Sequence, residues 1–156
     1  MSSNIVTLCH AVRDALNGAE AGTFSQSFTA VFEFLPEYTP VDAKTLRVVV
    51  TDAGGDITMP ARGKRGMQDR VRVSAIWRVS PTSGTAIDKT RMDEALTLMD
   101  EITEFLLCRA MGDYSQTGRI LRGLGDKDKS HYYAQNLKEK TFIASIIASY
   151  VKMEDR

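Results

Sequence analysis

Val71-Arg72-Val73-Ser74-Ala75-Ile76-Trp77-Arg78-Val79 decides how the rest of the chain is read. Val71, Val73, Ala75, Trp77 and Val79 occupy alternate positions, and Arg72, Ser74, Ile76 and Arg78 fall between them. Apolar residues at period 2 mark a strand with one buried face and one wetter face. Pro81 stops the strand, and Thr82, Ser83 and Gly84 have the composition of a turn. A helix is expected next, to Leu107, with Met92, Ala95, Leu96, Met99, Ile102, Thr103 and Leu106 along one stripe. A strand and a helix that are each apolar on one side can cover one another, and the remaining elements are read as additions to this pair.

Upstream, Asn4 to Asn17 reads as a first helix, with Ile5, Leu8, Cys9, Val12, Ala15 and Leu16 on one face and Gly18 placed to end it. Ser27 to Leu35 alternates as a strand, with Phe28, Ala30, Phe32 and Phe34 expected on one side. Each aromatic there is worth roughly 1.5–3 kcal/mol if fully buried. Pro36 and Pro40 bracket a non-helical connector. Thr45 to Thr51 is the next strand, with Leu46, Val48 and Val50 facing one way. Residues 52–68 have no periodicity and hold several glycines, a proline and basic side chains, and so read as a mobile loop or arm.

Downstream of Leu107, the glycines 112, 118, 123 and 125 and the charged run 126–129 read as an irregular segment, 111–132, with a helical turn near Arg119–Leu124. A further helical turn is expected at Asn136–Lys140. Thr141 to Val151 is apolar on both faces, the pattern of an interior strand or of one covered by a partner. The predicted order is α-β-β-β-α-β. The fold class is α+β: a mainly antiparallel four-stranded sheet with two helices packed on one face.

With 156 residues, the chain is read as one domain spanning 1–156, large enough to bury a core. Twenty basic residues balance twenty acidic ones, so any attraction to a polyanion or an anionic membrane must be local. No apolar run approaches the roughly 20 residues of a membrane span, and the first residues lack the layout of a secretory signal. Cys9 and Cys108 are expected as two buried free thiols rather than a disulfide. Cytoplasmic synthesis is expected.

Catalytic patterns are absent from the sequence. His10 flanks an apolar helical stripe, and His131 stands beside Tyr132 and Tyr133 with no Cys or His at ligand spacing, so no metal site is expected. There is no Gly-x-Ser-x-Gly elbow, Gly-x-Gly-x-x-Gly turn or phosphate-cradling loop, so no cofactor is expected. Asp93, Glu94, Asp100 and Glu101 are acids of the kind that form a solvated helix face. One basic group stands out: Arg62, Lys64, Arg65 and Arg70, flanked by glycines. It is either a solvated loop or an arm for an acidic partner surface or a phosphate backbone. No aromatic is interleaved with it, so base stacking is not suggested.

The layout resembles the phage and prophage tail completion or tail terminator proteins. The residues that carry the likeness are the opening helix Ile5–Leu16, the run Phe24–Ala30, the strand Thr45–Val50, and the basic loop leading into Arg70–Ile76. The helix Met92–Leu107 and the closing strand Phe142–Ile147 complete it. The likeness covers most of the chain in order and spacing, and segment 111–132 is longer than the pattern. The resemblance implies a structural protein without an active site. Such a protein forms a ring, expected as a hexamer, on the head-proximal end of the tail tube; it stops polymerisation and offers a surface for joining to the head. Its implied partners are further copies of itself, the tail tube protein and a neck or connector protein, with DNA as cargo in the channel and no membrane. It would reside in the virion and assemble in the host cytoplasm. A neck or head-closure protein on the capsid side is the alternative, and a small cytoplasmic enzyme or ligand-binding domain is a third reading. A ring needs head-to-tail contacts that close. The expected contact residues are Arg62, Lys64, Arg65, Met67 and Arg70 in the arm, and Ile143, Ile147 and Val151 in the last strand.

Overall fold

The computed structural model describes residues 3–34, 45–79, 88–122, 131–133 and 141–155. The elements in chain order are α1 (Asn4–Asn17), β1 (Ala30–Phe32), β2 (Arg47–Ala61), β3 (Lys64–Arg78), α2 (Lys89–Leu106), β4 (Ser115–Leu121) and β5 (Thr141–Asp155). The fold is α+β, and the strands form one sheet in the order β1-β2-β3-β5-β4. β1 runs parallel to β2, and the other pairs are antiparallel.

Period-2 alternation in β3 does what the sequence reading requires. Val71, Val73 and Ala75 are buried, and the register sets them beside Ala148, Ile146 and Ala144 of β5. Val50 and Val48 of β2 lie across from Val73 and Ala75 on the same face. This face meets Leu8, Cys9, Val12 and Leu16 of α1 and Ala95, Leu98, Met99, Ile102 and Leu106 of α2 in one continuous core, so both helices cover the same side. Asp88 caps α2 by accepting from the backbone N–H groups of Thr90 and Arg91 at 3.0 and 3.2 Å. Gly18 ends α1, as expected, and its N–H bonds Asp14 O at 2.8 Å. No helix among the described residues is long and apolar enough to cross a membrane.

The sheet is five-stranded and mixed rather than four-stranded and antiparallel. β1 runs parallel to β2, and Asn17, the last residue of α1, caps its outer edge. The Asn17 side chain donates to Ala30 O at 2.9 Å and accepts from Ala30 N at 2.7 Å, replacing a neighbouring strand for one residue. β1 is also shorter than the expected Ser27–Leu35 strand, and Phe34 is 76% exposed rather than in the core.

Segment 52–68 is not a loop. β2 and β3 each run 15 residues and form a long hairpin that turns at Arg62-Gly63, where Gly63 takes φ 78°. A bulge between Asp52 and Gly55, with Gly54 at φ 87°, inserts one residue and flips which β2 side chains face the core. That phase change erased the alternation in the sequence. Pro60 falls in a second register irregularity, between Thr58 and Ala61, on a stretch of β2 that β1 does not reach.

Segment 111–132 contains β4, an edge strand that pairs Leu121 with Ile147 and Ser115 with Val151. At Arg119–Leu121 it is a strand rather than the start of the helical turn expected over Arg119–Leu124, whose last two residues lie outside the described ones. β5 extends beyond Val151 to Asp155 and lies between β3 and β4, an interior strand as its two-sided apolarity implied. Cys108 is exposed, not buried; it follows α2 in the left-handed region with φ 62°. The expected Pro36–Pro40 connector, the turn 82–84 and the helical turn at 136–140 lie outside the described residues.

Candidate functional site

Three 15-residue strands, each about 50 Å long, carry a helix layer whose members are only about 21 and 27 Å long. The sheet therefore outruns its cover. α2 begins beside the far end of β3, where the Arg91 guanidinium sits 5.0 Å from the Trp77 ring centroid and donates to Arg78 O. α1 begins at the other end, where Asn4 Nδ2 lies 3.7 Å from Met67 Sδ. The hairpin continues beyond that point as a free end made of β2 from Gly55, β3 up to Arg70 and β5 from Ser149.

This free end exposes several large apolar side chains among its charged ones. Ile57 is 66% exposed, Met59 52% and Met153 57%, among the largest exposures of any big hydrophobic side chain described. Ile57 lies across from Met67, on the helix side of the sheet. Met153 lies across from Gly66, on the opposite face, in line with Val151 and Ile147. Leu121 of β4 sits beside Ile147 on that same face.

The basic residues expected to make the free end cationic are largely neutralised within the chain. Arg65 pairs with Glu154 across the β3–β5 rungs, and Arg70 pairs with Asp56 at 2.6 Å. Lys152 lies 3.1 Å from Glu154 and 3.9 Å from Asp113. The Arg65 and Lys152 side chains hold the Glu154 carboxyl below its ordinary value. Residues 52–70 and 149–155 together carry five cations (Arg62, Lys64, Arg65, Arg70 and Lys152) and five anions (Asp52, Asp56, Asp69, Glu154 and Asp155). Arg62, at the turn, and Lys64 are exposed.

The sequence-predicted contact residues divide into three groups. Arg62, Lys64, Arg65 and Arg70 gather at the free end. Met67 and Ile143 are interior, at 8% and 6% exposure, so they serve packing in the single chain. Ile147 and Val151 are half-buried on the face away from the helices. Sequence reasoning missed Ile57, Met59, Met153 and Leu121, because an apolar residue in an aperiodic segment has no readable face until its strand partner is known.

A second group of side chains braces the free end. Tyr114 forms an isolated bridge with Met111 and donates its hydroxyl to Asp69 Oδ2 at 2.5 Å. The Lys152 ammonium stands 5.7 Å from the centroid of the Tyr114 ring. Burial, then the bond to Asp69, raises the Tyr114 hydroxyl pKa. On the α1 side, burial and the nearby carboxylates of Asp52 and Asp69 push the Cys9 thiol up to about 12. Cys9 is thus a core thiol rather than a nucleophile.

One cleft of about 290 Å³ opens between α2 and β5, at the point where β4 stops pairing. Leu96, Met99, Asp100, Arg122, His131, Tyr132, Ser145 and Ile146 line it. Its charged groups, Arg122 and Asp100, pair with each other, and Ser145 Oγ is 2.7 Å from Ser74 Oγ. The His131–Tyr132 pair does face this cleft. No group of three or more potential metal-ligating side chains occurs among the described residues. No protein-family model matches the chain, and no curated protein matches it at a significant level.

Proposed function

We propose that the chain is a phage structural protein of the tail terminator kind, working by adhesion rather than by chemistry. Copies close into a ring, a hexamer by the resemblance, on the head-proximal end of the tail tube. The ring stops tube polymerisation and presents the surface that the neck or connector protein meets, and DNA passes through its channel. The observation that carries this reading is the free end of the sheet, where Ile57, Met59 and Met153 stand more than half exposed beyond the helix layer. Large apolar side chains left exposed at a projecting sheet end are stabilised by a partner surface, not by water. The order and spacing of the elements add the resemblance to that physical argument.

Electron microscopy of the protein mixed with tail tube protein, together with native mass spectrometry of the protein alone, tests the reading. Rings on one end of each tube are expected. A chain that stays monomeric at every concentration and binds neither tubes nor viral particles overturns it. Binding to isolated heads and not to tails replaces it with a neck protein.

A further inference from the structure

We infer that the Asn17 side chain guards the β1 edge of the sheet against strand addition, so that the protein does not associate by extending its sheet there. The inference goes beyond the ring reading and does not depend on it.

Among the described residues, β1 and β4 are the outermost strands. An outermost strand presents unpaired N–H and C=O groups, a template on which another chain can pair. On β1, Glu33 N–H donates to Val50 O at 3.1 Å. Alternation therefore turns the N–H and C=O of Ala30 and Phe32 away from β2. The Asn17 amide takes both groups of Ala30, accepting from its N–H at 2.7 Å and donating to its C=O at 2.9 Å. Those are the two bonds that a residue of an added strand would make. The outward pair of Phe32 remains, and one pair is too little to hold a ladder.

This edge is worth guarding because it is apolar. The Phe32 and Phe34 rings lie 4.8 Å apart, and Phe34 is 76% exposed. Without Asn17, two successive outward backbone pairs would stand beside an exposed aromatic, the combination that invites pairing between chains. The β4 edge is blunted in another way. Its pairing with β5 shifts between Gln116 and Ile120, and Gly118 takes φ 78°. The Gln116 amide holds the irregular backbone, accepting from Gly118 N–H at 2.8 Å and donating to Arg119 O at 3.1 Å. A bulge of this kind bends an edge away from the plane that an incoming strand needs.

Asn17→Ala in the full chain tests this, with sedimentation velocity and amide hydrogen exchange in a solution of this protein alone. The only strand available for addition is then one from another copy. In the dilute variant, the Ala30 amide is expected to exchange about tenfold faster than in the wild type, while the Glu33 amide, bonded to β2, keeps its protection. As concentration rises, a species of about twice the wild-type mass at the same concentration is expected, with the Ala30 amide protected again. Phe34→Lys, placed on the exposed ring, adds a charge at the same edge; the double variant Asn17→Ala/Phe34→Lys is expected to return to the wild-type mass. Phe34→Lys alone is expected to leave wild-type association unchanged. An Asn17→Ala variant that keeps the wild-type mass at every concentration, or whose larger species leave the Ala30 amide unprotected, overturns the inference. So does loss of Glu33 protection in the variant, which would make Asn17 a support for β1 rather than a guard of its edge. Loss of wild-type association in Phe34→Lys alone overturns it too, because the edge would then be an interface. Each of these results leaves the ring reading to its own test on tail tubes.

Discussion

Tyr114 and Asp69 are joined by a 2.5 Å hydrogen bond that ties the turn after α2 to the free end of β3. The two residues are 45 positions apart, and this bond links the last part of the chain to the hairpin end that outruns the helices. A sheet end without helical cover needs such a brace if its side chains are to keep a fixed geometry.

Tyr114→Phe removes the donor and keeps the ring. A bond to a carboxylate is worth about 1.5–3 kcal/mol, and Asp69 retains some access to water, so a loss of about 1–2 kcal/mol is expected from urea unfolding. Hydrogen exchange should also speed up at residues 64–70 while the rungs at Val71–Ala75 stay protected. An unchanged unfolding midpoint would show that the brace has no energetic role.

Gly55 is needed where the bulge lets β2 come close to β3. A Cβ added there would stand 2.5 Å from Gln68 O and 2.5 Å from Asp69 Oδ1. Because the first of these is backbone, the strand itself must move. Gly55→Ala is expected to cost about 1–3 kcal/mol and to weaken the Tyr114–Asp69 bond with it. Gly54→Ala, strained by its φ of 87° but with open space around it, should keep that bond. The Tyr114 hydroxyl resonance in the two variants distinguishes the mechanisms.

Trp77 and Phe142 occupy one rung but differ in burial. Phe142 is fully buried, whereas Trp77 is half-buried with a guanidinium over its ring. Phe142→Ala is expected to cost about 3–5 kcal/mol, and Trp77→Ala less, about 1.5–3 kcal/mol. Equal losses in thermal unfolding would mean that Trp77 contributes as a core residue.

The two thiols should behave differently. Exposed Cys108 should react with a thiol reagent in the native state, and Cys9 only after unfolding. Burial raises the Cys9 thiol from 9.0 to about 12, so the folded state holds that proton more tightly than the unfolded chain. The stability this contributes is complete below pH 9.0 and is lost as the pH rises toward 12. Tyr114, also raised, acts in the same direction. Urea midpoints that fall between pH 9 and 11 in the wild type, and fall less in Cys9→Ala, are the expected result.

Local periodicity was enough to place α1, α2, β5 as far as Val151 and the Val71–Arg78 part of β3, because each has a long run whose apolar residues repeat with the period of its own element. The Val71–Val79 alternation and the Met92–Leu106 stripe report burial on one side, and burial on one side is what a helix-covered sheet imposes. The sequence by itself also singled out the basic group Arg62, Lys64, Arg65 and Arg70, but not the acids that pair with it. Only the tertiary structure decided that residues 52–68 are strands, since the bulge at Gly54 breaks the phase of β2 and the first half of β3 pairs with β5, where Arg65 and Glu154 are 89 positions apart. It alone decided that β1 is parallel and that Arg65 and Arg70 are neutralised. The physical reason is the same in each case. A periodic pattern records which side of one element is buried, but pairing register, ion pairs and exposed edges depend on which distant segment arrives beside it.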